Sequence, residues 1–141
     1  MIPPGLYLAD TSAIARVAHP EVRALLDRLG RMGLLATCVT VDLEVLYSAR
    51  SPADYAAIRD RRAAGFVDLP LHPEIGERAR VVQSRLAGRS QHRAAGIVDL
   101  LTAATAEHYA ATVLHYDADF DHIAAVTGQF TQWVVPRGSL S

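Results

Sequence analysis

Apolar residues follow two rhythms along this chain, and the two alternate. Short, largely apolar runs at residues 6–9, 34–39, 66–69, 112–116 and 132–135 have the length and composition of β-strands. Between them lie stretches with a helical period. Over residues 20–32, Val22, Leu25, Leu26, Leu29 and Met32 recur every three or four positions while Arg23, Asp27, Arg28 and Arg31 fill the other face, and Gly33 closes the helix. Asp10-Thr11-Ser12 suits a helix start directly after the first strand, Thr40 caps a helix carrying Asp42 and Glu44, and Ser51-Pro52 opens another to about Ala64. Further helices are predicted over 73–86 and 97–111, with a polar, basic loop at 88–94 between them. Residues 117–122 read as a turn anchored in the core by Phe120, and the last strand stops at Pro136. Regular alternation of this kind implies a mainly parallel sheet with helices on both faces, a three-layer α/β/α sandwich.

Length and composition narrow the picture. At 141 residues the chain suits one domain spanning 1–141, and 50% hydrophobic with 21% charged residues is enough apolar material for a packed core. No apolar run approaches the roughly 20 residues of a membrane helix, and no basic segment precedes an apolar one at the amino terminus, so a cytoplasmic protein away from membranes is expected. Cys38 is the single cysteine, which excludes an internal disulfide and a thiolate zinc cluster. All 14 cationic side chains are Arg. Without Lys, phosphate loops of the Walker type and Schiff-base chemistry are excluded. Five Arg (78, 80, 85, 89 and 93) and no acid occupy residues 78–98, a basic stripe that either binds a polyanion or is a solvated helix face. The tail Val135-Pro136-Arg137-Gly138-Ser139 looks like a protease-cleavage scar, and it is read as native because it continues a plausible strand.

Candidate chemistry lies with the acids. In open α/β sheets ligand sites gather at the carboxyl ends of strands, and Asp10 and Asp117 each follow one. If those strands are neighbours, the two carboxylates repel unless a proton or cation resolves the charge. A hard divalent cation suits an all-oxygen donor set. Asp99, in the first turn of the 97–111 helix, is either a dipole-stabilising acid or a third ligand, and the small Ala103, Ala104 and Ala106 let that helix approach the sheet closely. Glu44 is preferred to Asp42 because Leu43, Val45 and Leu46 should draw it towards the core, Asp42 being nearer the exposed cap. Residues 117–122 start like a calcium loop, but His122 and Gly128 stand where that loop needs Gly and Glu. A transition-metal site using His115 or His122 has no second His pair at helical spacing to support it.

This ordered set, Asp10-Thr11-Ser12 after the first strand, Glu44 within a helix, Asp99 before an Ala-rich helix and Asp117-Ala118-Asp119-Phe120, resembles the PIN domain, and more narrowly the VapC toxins of VapBC toxin–antitoxin pairs. The resemblance covers essentially the whole chain. It implies an endoribonuclease dependent on Mg²⁺ or Mn²⁺, with Asp10, Glu44, Asp99 and Asp117 as its acidic quartet and Asp119 as a frequent fifth member. Among these, Asp10, Asp99 and Asp117 would hold the metal, and Ser12 would orient the first aspartate. Where the family often has Thr and a polar or basic residue before the last aspartate, this chain has His115 and Tyr116. RNA would be the substrate, with Arg78, Arg85, Arg89 and Arg93 as candidate phosphate contacts. The resemblance also implies a homodimer and a VapB-type antitoxin. An inactive cation- or peptide-binding module and a hydrolase acting on DNA or a phosphomonoester remain the alternative readings.

Overall fold

The structure is a computed structural model that describes residue 2 and residues 5–140. Five strands form one sheet in the order β3-β2-β1-β4-β5, every neighbouring pair parallel. They are β1 (Tyr7–Ala9), β2 (Leu35–Thr37), β3 (Val67–Asp68), β4 (Thr112–His115) and β5 (Thr131–Trp133). The helices between them are α1 (Thr11–Ile14), α2 (Pro20–Arg31), α3 (Val39–Tyr47), α4 (Pro52–Gly65), α5 (Pro73–Ala87), α6 (Ile97–His108) and α7 (Asp119–Thr127).

Strand alternation divides the core into two layers, because successive side chains point to opposite faces of a sheet. Leu8, Ala36 and Val113 face one side, where they meet Val41 of α3, Ile75, Val82 and Leu86 of α5, Ala103, Ala104 and Ala106 of α6, and Phe120 and Ile123 of α7. Ala9, Leu35 and Leu114 face the other, against Ala13 of α1, Val22, Leu26 and Leu29 of α2, and Val134 and Val135. Helices thus cover both faces, the three-layer sandwich that the alternating pattern predicts.

Local deviations from the sequence reading have physical causes. Residues 117–122 do not form an isolated turn: Asp119 opens α7, whose Phe120 and Ile123 are fully buried. Three acids and two histidines crowd residues 115–122, and that density conceals the three-to-four spacing of Phe120, Ile123 and Val126. Thr40 is not a cap. Cys38 takes that position, and Thr40 lies inside α3, where its hydroxyl shares a 2.9 Å hydrogen bond with Thr102 of α6. That contact fixes the helix carrying Glu44 against the helix carrying Asp99. β5 ends at Trp133 rather than Val135, yet Val134 and Val135 stay buried, and the Leu140 amide donates to the Tyr116 hydroxyl at 3.1 Å.

Candidate active site

Strand order decides where the acids go. Connections from β1 and β4 run to opposite sides of the sheet, so the carboxyl ends of these two adjacent strands form the crevice where open α/β sheets hold ligands. Asp10 follows β1 directly, and its amide donates to Leu114 O of β4 at 2.9 Å. Asp117 stands two residues beyond β4.

Asp10 is almost completely buried and makes different use of its two carboxylate oxygens. Oδ2 accepts from the Ser12 amide at 3.0 Å and the Ser12 hydroxyl at 2.6 Å, which caps α1. The Ser12 hydroxyl in turn accepts from the Tyr116 amide at 2.9 Å, tying the end of β1 to the end of β4. Oδ1 is buried with no hydrogen-bond partner among the described residues. An anionic oxygen in that position is costly unless a proton or cation meets it.

Asp99, Asp117 and Asp119 each offer an oxygen within 4.8 Å of the others. Asp99 comes from the first turn of α6, brought in by the fully packed alanines of that helix, and Asp119 from the first turn of α7. Asp119 is held from two sides: its amide donates to Asp117 Oδ1 at 2.9 Å, and its Oδ2 accepts from the Gly96 amide at 3.3 Å. Crowded like charges and burial act together on the protonation of this group. Asp99 is pushed up to about 8, mainly by burial, then by a hydrogen bond with Asp119 and the charges of Asp10, Asp117 and Asp119. Burial also raises Asp10 and Asp117.

Glu44 lies at the exposed rim, close enough for its charge to raise Asp10 further. The reason given for it from sequence does not hold: Leu43 is 62% exposed, and only Val41 of α3 is fully buried. Asp42, expected near an exposed cap, is instead paired with the buried Arg62 at 2.9 Å and accepts from Thr37 Oγ1 at 2.7 Å. That pairing turns it away from the acid cluster. His115 is fully buried between Phe120 and Trp133, and its Nδ1 accepts from the Asp117 amide at 3.2 Å. Burial lowers it to about 4, so it is a neutral buttress behind the last aspartate.

Of the basic stripe, Arg78 is engaged by a two-pronged pair with Glu107 at 2.6 and 3.1 Å, and Arg85 donates to Val126 O at 3.1 Å. Arg89 and Arg93 are exposed and make no ion pair among the described residues. The cation beside the acids is one that sequence reasoning missed. Arg16 donates to Ser12 O at 2.8 Å, and its charge pulls Asp117 down against the effect of burial. Only its position four residues after Ser12, one helical turn away, signals it in the sequence.

Carboxylates of this number, with an unpartnered buried oxygen on Asp10, fit a hard divalent cation without help from His or Cys. The PIN domain family model matches residues 7–126. The chain is 45% identical to Ribonuclease VapC51 of Mycobacterium tuberculosis over 95% of its own length and 96% of that protein's. It is 43% identical to Ribonuclease VapC18 of the same organism, over 96% of this chain and 99% of that one. Among solved structures, the fold is similar to VapBC-1 from nontypeable Haemophilus influenzae, with a TM-score of 0.75, 15% identity, and coverage of 92% of this chain and 98% of that one. It is likewise similar to VapBC2 of Rickettsia felis bound to a promoter DNA fragment, with a TM-score of 0.74, 14% identity, and coverage of 90% and 97%.

Proposed function

Because the chain belongs to the PIN-domain family, within its group of VapC ribonucleases, we propose that it is an endoribonuclease toxin that hydrolyses RNA phosphodiester bonds and is neutralised by a cognate VapB-type antitoxin. The observation that carries this reading is the meeting of Asp99, Asp117 and Asp119 beside the unpartnered Oδ1 of Asp10. These four carboxylates would hold Mg²⁺, or Mn²⁺ in its place, with Glu44 at the rim. The bound ion would supply Lewis acidity to a water and to the scissile phosphate. The chain's own side chains do the rest. Ser12 holds Asp10 through Oδ2 and leaves Oδ1 unpartnered, and the Asp119 amide holds Asp117 through Oδ1. Arg16 places a cation at the edge of an otherwise acidic pocket that would repel RNA. Neither a Cys nor a Lys nucleophile is available: Cys38 is buried and the chain has no Lys.

A groove beside the acid cluster would offer such an antitoxin part of its contact surface. This open groove of about 700 Å³ is lined by apolar Ile14, Val17, Leu26, Val45, Ile58 and Phe66 together with charged Asp27, Arg31, Arg61 and Arg62, a mixed lining that would suit a peptide carrying both apolar and charged side chains. Val39, Leu43 and Tyr47 form an exposed row along α3 that suits a second copy of the chain. The deciding experiment is cleavage of labelled RNA by the purified chain with Mg²⁺, with DNA and a chromogenic phosphomonoester in parallel. RNA should be cut, EDTA should stop the reaction, and Asp10→Asn and Asp99→Asn should each reduce cleavage to background with unchanged circular dichroism. Undiminished cleavage by both variants ends this reading.

A further inference from the structure

Three side chains that the mechanism leaves unused, Tyr116, Trp133 and Arg137, form with Arg16 a continuous row leading away from the acids. The Arg16 guanidinium lies over the Tyr116 ring at 4.3 Å, the Tyr116 ring meets Trp133 edge-on at 5.3 Å, and the Arg137 guanidinium stands 5.6 Å from the Trp133 ring. Each is held in place by a contact of its own. Arg16 donates to Ser12 O at 2.8 Å, the Tyr116 hydroxyl accepts from the Leu140 amide at 3.1 Å, and the Trp133 indole N–H donates to Asp121 Oδ1 at 3.2 Å. Arg137 approaches Asp121 Oδ2 at 3.9 Å, so the charge of that acid is partly offset. The row starts beside the acid cluster, since Ser12 links Arg16 to Asp10 and the Tyr116 amide binds the Ser12 hydroxyl.

We propose that Arg16, Tyr116, Trp133 and Arg137 form a track for single-stranded RNA, carrying the nucleotides that flank the scissile phosphate. This rests on the ribonuclease reading above and adds the path of the substrate to it. Cations at the two ends with π faces between them are the composition that single-strand binders use, phosphates going to the guanidinium groups and bases stacking on rings or on guanidinium planes. Duplex RNA cannot use such a surface, because its bases are already stacked on one another. Preordering by the four contacts means that few side-chain rotamers have to be frozen on binding. The runner-up path, along Arg85, Arg89 and Arg93, offers cations that make no cation–ring contact among the described residues.

Trp133 is the only tryptophan in the chain, so its fluorescence reads this surface directly. In Asp99→Asn protein with Mg²⁺, a short single-stranded RNA should change the Trp133 emission, whereas an abasic oligonucleotide of equal length and a duplex of the same sequence should not. The abasic strand should bind at least about fivefold more weakly, the lower end of what one stacked base contributes. Arg16→Ala and Arg137→Ala should each weaken binding and lower the salt slope by about 0.7, one single-strand phosphate contact each. Arg137 is exposed, so that variant tests the track without touching the core. RNA binding with silent Trp133 and an unchanged salt slope in both Arg variants overturns the track. The ribonuclease reading fails separately, if wild-type protein cuts no RNA while the fluorescence response to single strands persists.

Discussion

Asp99 shows how one carboxyl group reports the state of a whole site. Four acids share the space, and in the absence of a cation a proton is the remaining way to reduce their repulsion; Asp99 accordingly holds its proton up to about 8. An unfolded chain would release that proton near pH 4. The stabilisation from the bound proton is therefore complete below about pH 4 and is lost as the pH rises towards about 8. Thermal unfolding in EDTA should show a Tm that falls across this window, and Asp99→Asn, which needs no proton to be neutral, should flatten the curve. Parallel curves for the two proteins would mean that Asp99 ionises normally. Asp10 illustrates the same scale: the family resemblance implies that Ser12 orients this aspartate, and the Ser12 hydroxyl donates to its Oδ2 at 2.6 Å.

At the level of elements, the site depends on helices being held at fixed angles to the sheet, and one buried cation contributes much of this. Arg62 of α4 donates to Asp42 of α3 at 2.9 Å and to Thr37 of β2 at 2.7 Å, while its guanidinium lies 4.5 Å from the Phe66 ring. Removing one member of a buried pair costs roughly 3 to 5 kcal/mol. With the Asp42 side chain 34% exposed, solvent screens part of that, and about 2 kcal/mol is expected for Arg62→Ala, read as a lower urea midpoint. Arg59→Ala breaks an ion pair with Asp60 in which both side chains are largely exposed, and the midpoint should not move. Helix α7 is the element that sequence reasoning missed. Its apolar Phe120, Ile123 and Val126 follow a first turn dense in acids, of which Asp119 is placed for the acid cluster rather than for a solvated face. By contrast Pro20–Arg31 was legible because both faces of α2 obey one period, and Gly33, with φ +70°, terminates it as its left-handed backbone requires.

For the whole molecule, metal binding and folding should be linked, since the proposed ligands come from segments as distant as residues 10 and 119. A cation that binds only the folded chain stabilises it by mass action, by about 2.7 kcal/mol at a hundredfold excess over Kd. Mg²⁺ should raise the Tm, more at pH 8 than at pH 6 because protons compete for the same oxygens. Asp10→Asn should remove the shift; a shift that survives it would place the ion elsewhere. The chain's own residue order determined the alternation of strands and helices, the absence of Lys and of cysteine pairs, and the placing of acids just past β1, just past β4 and in the first turn of α6. These are local properties, governed by periodicity and capping within a few residues. Tertiary structure alone decided that β1 lies beside β4, that Asp119 joins Asp99 and Asp117, that Asp42 turns to Arg62, and that Arg16 lies over Tyr116. Strand pairing and burial act between segments that can be a hundred residues apart, and no local pattern records which of several compatible partners a side chain will meet.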